Sequence, residues 1–165
     1  MKPYDVNIVA DYIIYRLNSD EKVSLINLKL QKLLYYVQAW SLGIEKERFV
    51  DCTFEAWIHG PVCRQLYDRF KASKSLYSNI SLDDIELSEK VLDAISDEDK
   101  EFVDYILDNY GGFTGIELEN MTHREMPWQN ARRGLSPMQA SSNEISEDDM
   151  RRYYGEKWEE IDGDE

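Results

Sequence analysis

The stretch Leu28–Gly43, LKLQKLLYYVQAWSLG, decides the fold. Its apolar residues recur at the three- and four-residue spacings of a helix and continue onto a second face, so little of its circumference is polar. A helix of this kind is buried on most sides, and we expect it to form the centre of the fold. The polar residues for which this packing gives no reason are Lys29, Lys32 and Gln38, and they are candidates for a binding surface.

The ends of this helix and the segment after it are set by small and polar residues. Ser24 is the expected N-cap, and Gly43 is expected just past the C-terminus. The weak alternation of FEAWI predicts a short strand near Phe54–Ile58. The turn His59-Gly60-Pro61 then breaks the strand, and we expect Pro61 to open a third helix that runs to Lys71.

Helical periodicity and capping residues predict the remaining elements. The first helix is expected at Asp5–Leu17, the fourth at Asp97–Tyr110 after a Ser96 cap, and the fifth after a capping box of Thr114 and Glu117. We expect a turn from Pro127 and a last helix after Ser146. Tyr105 and Ile116 are expected to face inward, residues 77–82 to have weak strand character, and residues 86–95 to form a short helical turn.

The fold class that follows is mainly α, a compact single-domain helical bundle around a central buried helix, with at most a short β-hairpin. Residues 1–160 form the one expected domain, and 161–165 an acidic frayed tail. The longest apolar run is too short for a membrane helix, and the N-terminus lacks a signal-peptide pattern. We therefore expect a cytoplasmic protein with Cys52 and Cys63 as free thiols.

Charge is distributed unevenly along the chain. The net charge of the protein is −14, but residues 1–80 carry 11 basic and 9 acidic residues, whereas residues 81–165 carry 8 and 24. An acidic half repels nucleic acid and attracts basic partners. The only basic patch with an aromatic residue would combine a few dispersed side chains, and nucleic acid is not an expected partner. These side chains are Lys29, Lys32, Tyr36, Arg124, Arg132 and Arg133.

Tests for catalytic and metal-binding patterns give weak signals only. A cysteine hydrolase would need Cys63 beside His59 or His123, but Pro61 breaks the helix that would align the nearer pair. Cys52, His59, Cys63 and His123 lack the close pairs that structural zinc sites use. The glycine-rich segment 111–115 lacks a lysine and is followed by acids, unlike a phosphate-binding loop. We expect no enzyme, no cofactor and no metal.

Four segments carry a resemblance, and they occur in a fixed order. They are LKLQKLLYYVQAW (28–40), FEAWIHGPV (54–62), LYDRFK (66–71) and THREMPW (122–128). Together they resemble the Panacea antitoxin domain, the SocA-like family also met as phage-associated GepA-like proteins. Each segment is short, but their joint order, with about sixty residues between GPV and the histidine, is specific.

The resemblance implies a mostly helical domain that neutralises the toxin of a toxin–antitoxin pair by direct protein contact. The expected partner is a cognate toxin encoded by an adjacent gene, often in a prophage. The motif and its neighbours give the candidate partner-binding residues: Lys29, Lys32, Gln38, Trp57, His59, Gly60, Pro61, His123 and Trp128. Two alternatives stay open, namely an acidic phage-encoded inhibitor that mimics nucleic acid and an enzyme that uses Cys63.

Overall fold

The computed structural model describes residues 1–19, 23–86 and 92–163, and it arranges them around one helix. Within these ranges the chain forms seven α-helices and one antiparallel pair of strands. The elements are α1 (Val6–Asn18), α2 (Asn27–Ile44), β1 (Phe54–Trp57), β2 (Gly60–Cys63), α3 (Arg64–Phe70), α4 (Asp97–Tyr110), α5 (Gly115–His123), α6 (Met126–Ala131) and α7 (Glu147–Gly163). The prediction of a mainly α fold with a short hairpin is confirmed.

Helix α2 is the central element, as predicted. All of its residues except Trp40 and Ile44 are buried. It packs against α1, α4, α5, α7 and β2, so nearly every direction around its axis is occupied by protein. Burial around nearly the whole helix therefore explains why apolar residues occur on more than one face of α2.

Both predicted ends of α2 are wrong. The helix begins after Ile26, which makes no side-chain capping bond. Instead the first amides are satisfied by a loop, since Asn27 N donates to Ser78 O at 3.0 Å and Leu28 N to Leu76 O at 2.7 Å. At the other end, Gly43 lies inside the helix. A Cβ on Gly43 would come within 2.7 Å of the backbone of Tyr154, so this glycine permits the close approach of α7.

The hairpin explains why the predicted start of the third helix is wrong. Strand β1 agrees with the expected strand to within one residue, and Trp57 pairs with Gly60 across a two-residue turn. Pro61 lies in β2 opposite Ala56, and α3 begins only at Arg64. Gly60 has a φ of 98°, which favours glycine. A proline is tolerated in this small sheet because β2 has only one partner strand.

The capping predictions for the other helices are largely confirmed. The α4 bounds match, and the Ser96 side chain accepts from Asp99 N. Thr114 and Glu117 form the reciprocal capping box of α5. Ser146 Oγ accepts from Asp149 N at the start of α7 at 3.2 Å.

Several smaller predictions are corrected by the structure. Tyr105 and Ile116 were expected inside, but they are 47% and 55% exposed. Residues 77–82 form no strand; Asn79 makes one isolated bridge, with Ile26, because the loop caps α2, and Leu82 begins a short 3-10 helix, Leu82–Asp84. Helix α7 continues to Gly163, so residues 161–163 are helical where we expected a frayed tail. Residues 87–91 of the helical turn expected at 86–95 lie outside the described residues, as do residues 164 and 165.

Candidate functional site

The nine candidate residues fall into two groups in the structure. The first group lies where α2 contacts the hairpin and the α5–α6 junction. Its members are Lys32, Trp57, His59, Gly60, Pro61, His123 and Trp128. Lys29 and Gln38 lie on other parts of α2 and contact different loops.

Lys32 ties the hairpin to α2 from inside the protein. Its side chain is fully buried, and Nζ donates to Pro61 O at 2.9 Å. Burial lowers the pKa of Lys32 to about 7, and the nearby Glu119 carboxylate opposes that shift. A Cβ on Gly60 would lie 2.7 Å from Lys32 Cε and 2.9 Å from Thr122 Oγ1. Gly60 is thus required for its backbone angle and for the space that Lys32 occupies.

His123 and Trp128 support the hairpin from the other side. Their rings stack with centroids 4.0 Å apart and planes 17° from parallel. Trp128 Nε1 donates to Trp57 O at 3.0 Å. Burial lowers the pKa of His123, against the opposing charge of Glu119 and a hydrogen bond with the Ile58 backbone. The stacked His123 and Trp128 side chains therefore hold the turn between β1 and β2 in place.

The placement of Lys29 and Gln38 on an exposed polar edge is wrong, because both are buried. Lys29 Nζ donates to Gly111 O at 2.7 Å and to Ser24 O at 3.3 Å. Gln38 Oε1 accepts from Phe49 N at 2.8 Å and Val50 N at 2.9 Å, while its Nε2 donates to Val50 O at 3.1 Å. Both side chains replace missing backbone partners of loops.

Gln31 has the same role and was missed in the sequence. Its Oε1 accepts from Cys63 N at 2.9 Å, and its Nε2 donates to Cys63 O at 3.2 Å. Gln31 and Gln38 lie seven residues apart and so share one face of α2. A glutamine amide can donate and accept hydrogen bonds at once, so the recurrence of glutamine at this spacing is the sequence signal that could have indicated this role.

The candidate basic patch does not form a continuous surface, since of its members only Arg124 and Arg133 are exposed. Lys29, Lys32 and Tyr36 are buried, and Arg132 is only 6% exposed. The Arg132 guanidinium donates to Ala56 O at 2.8 Å and to Gln139 O at 2.5 Å. These cations serve carbonyl groups inside the protein and do not provide a phosphate-binding face.

The accessible part of the motif cluster is the outer side of the hairpin. Trp57 packs edge-on against Tyr67, with centroids 4.8 Å apart, and the Arg64 guanidinium lies 4.9 Å from the Trp57 ring. The His59 side chain is 43% exposed, and its Nδ1 lies 2.9 Å from Glu119 Oε1. Trp57 and His59 line an open cavity of about 510 Å³ that also contacts the 140–142 segment. Of the nine candidates, Trp57 and His59 contribute most directly to an outer surface.

The two cysteines are buried and free. Cys63 Sγ lies 3.8 Å from Gln65 Oε1, and His59 is engaged by Glu119. Among the described residues, no group of three or more His, Cys, Asp or Glu side chains is arranged to hold a metal ion. In the same part of the chain, no helix is both long and apolar enough to cross a membrane.

A partly buried carboxyl group, that of Glu125, lies between α2 and α7. Glu125 Oε1 accepts from Tyr36 Oη at 2.9 Å and Tyr154 Oη at 2.8 Å. Burial raises the pKa of Glu125 to about 7, although the two tyrosine hydrogen bonds oppose the shift. Since the folded pKa exceeds the ordinary value of 4.5, this carboxyl contributes stability that is complete below pH 4.5 and is lost as the pH rises through about 7.

We expect Glu125→Gln to raise the free energy of unfolding at about pH 8 by about 1–3 kcal/mol, because the amide avoids burial of a charge. The gain should shrink as the pH approaches 4.5, where the wild-type carboxyl is protonated. Urea unfolding of both proteins across this range measures the difference. A difference that stays constant with pH would contradict the assignment.

Comparison of the sequence with known protein families gives one match. The sequence model of the antitoxin SocA-like Panacea domain matches residues 30–129. The matched range runs from α2 through the hairpin to α6, and so it contains Lys32, the Trp57–Pro61 turn, His123 and Trp128. No curated protein and no solved structure matches the chain significantly. Because the match covers more than half of the sequence, the chain belongs to the SocA-like Panacea antitoxin domain family.

Proposed function

We propose that this protein is the antitoxin of a toxin–antitoxin pair and neutralises its toxin by direct binding in the cytoplasm. The observation that carries the proposal is the family match over residues 30–129. The partner is a protein encoded by an adjacent gene, in a bacterial or prophage locus. The protein acts stoichiometrically and not as an enzyme.

The charge of the outer helices supports a protein partner with a basic surface. Helix α4 contains six acidic residues and one lysine, and α7 contains seven acidic residues and three basic ones. Both helices lie on the outside of α2 and expose most of these carboxylates. The negative electrostatic potential of these carboxylates raises the rate of association with a basic protein, and added salt weakens the effect.

Nucleic-acid mimicry is the alternative from another class. A mimic needs carboxylates that remain free to replace phosphates, but the first turn of α7 is partly neutralised. Glu147 pairs with Arg48 at 2.7 Å, and Asp148 pairs with Arg151 at 2.9 Å. If mimicry is the function, duplex DNA should displace the protein from its partner, because both would occupy one site. Under the antitoxin proposal DNA leaves the complex intact.

Co-expression tests the proposal. The neighbouring open reading frame is expressed alone and together with this protein, and growth is followed. We expect the neighbour to stop growth, the wild-type protein to restore it, and Cys63→Ser to restore it equally, because no thiol chemistry is required. A harmless neighbour, or growth arrest that persists when both proteins accumulate, would contradict the proposal. A loss of rescue confined to folded Cys63→Ser would favour an enzyme.

A further inference from the structure

A second surface, distinct from the hairpin, is an apolar groove between α2, α4, α5 and α7. It encloses about 220 Å³. Its principal lining residues are Trp40, Tyr105, Phe113, Met121, Trp158 and Ile161. Only Trp40 among them lies in the four segments that carry the family resemblance, so the groove is a different site from the cluster around Lys32 and the hairpin.

The floor of the groove is held in place by hydrogen bonding and aromatic stacking. Trp40 Nε1 donates to Tyr110 Oη at 2.8 Å. The Tyr110 ring stacks on buried Tyr36 with centroids 4.0 Å apart and planes 7° from parallel. Trp40 also packs edge-on against Tyr154 at 5.1 Å. A floor that is already ordered costs little to organise when a ligand binds.

The walls expose large apolar side chains to solvent. Tyr105 is 47% exposed, Ile161 46% and Phe113 38%. They come from α4, the end of α7 and the α4–α5 loop, yet they surround one depression. Large apolar residues gathered around a concave site mark an interaction surface, whereas scattered ones do not.

The two helices that supply most of the groove lining, α4 and α7, are acidic, and this indicates what the groove binds. On α4 the side chains of Glu101 and Asp108 are exposed, and on α7 those of Glu159 and Asp162 are exposed. A second copy of this chain would bring the same carboxylates against each other, which is unfavourable.

We propose that this groove receives an amphipathic helix of a partner protein, with an aromatic or leucine anchor on its apolar face and lysines or arginines on its flanks. Helices recognised in this way place side chains spaced three and four residues apart into a hydrophobic groove. The buried anchor supplies affinity, and the cationic flanks pair with the exposed carboxylates of α4 and α7. This inference rests on the proposed function, and it names the toxin-binding surface and the chemistry of the segment it binds.

A synthetic probe tests the groove directly. A fluorescein-labelled amphipathic helical peptide of leucine, tryptophan and lysine is titrated with the protein, and a matched peptide has glutamate in place of lysine. Fluorescence anisotropy should report binding of the lysine peptide only, with weaker binding at higher salt. Equal binding of both peptides, or no binding of the lysine peptide, would overturn the inference.

Matched variants locate that binding. Tyr105→Glu and Ile161→Glu change half-exposed groove residues, and we expect each to weaken binding about tenfold or more. Met138→Glu, at a residue that is 78% exposed outside the groove, is the control and should bind as the wild type does. Circular dichroism and Tm establish that all three fold. Unchanged binding by the folded groove variants would overturn the inference.

The growth assay separates this inference from the function on which it rests. If the wild type and Ile161→Glu rescue growth equally, the groove is not the toxin-binding surface, although the antitoxin function stands. If the wild type fails to rescue but binds the lysine peptide through the groove, the function fails alone. If the wild type is a dimer and Ile161→Glu a monomer, a second copy covers the groove and the inference is wrong.

Discussion

Gln38→Ala is expected to destabilise the protein by about 3–5 kcal/mol, because one substitution removes three buried hydrogen bonds. The amide serves Phe49 N, Val50 N and Val50 O in a site where Gln38 is 1% exposed. Urea unfolding followed by tryptophan fluorescence measures the loss.

Ser41→Ala is the matched control for this prediction. Ser41 is buried on the same helix, but its hydroxyl makes a single bond, to Glu47 O at 2.9 Å. We expect a loss of about 1 kcal/mol. If Gln38→Ala costs no more than Ser41→Ala, Gln38 does not hold the 49–50 segment in the way that we describe.

Gly43→Leu is expected to separate α7 from α2 and to cost about 3 kcal/mol or more, since overpacking here meets backbone and not a flexible side chain. A Cβ at this position would lie 2.7–2.8 Å from atoms of Tyr154 and from Gly155 N. Loss of the close approach would also expose Tyr154, which is fully buried and packs against Tyr35 and Trp40. Thermal unfolding and near-UV circular dichroism report both effects.

Two further variants separate close packing from helix propensity. Gly43→Ala gains about 1 kcal/mol of intrinsic helix propensity but should still be destabilised, because its Cβ already collides. Gly163→Leu introduces the same large side chain as Gly43→Leu, but at the end of α7, where a Cβ would have no atom within 4 Å. We expect this variant to be as stable as the wild type. A stabilised Gly43→Ala would show that α7 can move away at little cost.

Helices were predictable where a local signal determined them. The bounds of α4 and the α5 capping box follow from Ser96 and Thr114, whose capping bonds join residues three apart. The second strand of the hairpin was not predictable from local chemistry, because a proline after a glycine suits the start of a helix as well as a strand. The carbonyl of Pro61 is fixed by Lys32, which lies 29 residues away in the sequence.

The same limit explains the wrong interpretation of the polar residues on α2. Periodicity assigns polar residues on a helix to solvent, but a helix enclosed on all sides has no solvent edge. Lys29, Lys32 and Gln38 instead bind backbone groups of Gly111, of Pro61 and of the 49–50 segment, respectively, and the helical pattern of α2 does not identify those partners. The polar residues of the α2 motif therefore form hydrogen bonds inside the protein and are not available at its surface.

The apolar groove was hidden for a related reason. Tyr105 was expected in the core and Ile161 in a frayed tail, whereas they form opposite walls of one surface. They are 56 positions apart, and only the packing of α4 and α7 against α2 brings them together. Burial of the motif residues and exposure of these side chains move the candidate binding surface from the polar residues of α2 to the groove beside Trp40.

Titration of the purified neighbouring toxin with this protein is the most direct test of the claim that the chain neutralises by binding. Toxin activity is read at each molar ratio, after incubation long enough for equilibrium. Stoichiometric binding predicts a linear fall in activity that ends at a fixed ratio near equimolar, with recovery of active toxin once the complex is dissociated. Complete and irreversible inactivation by a small fraction of an equivalent would contradict it, because only catalysis could produce that result.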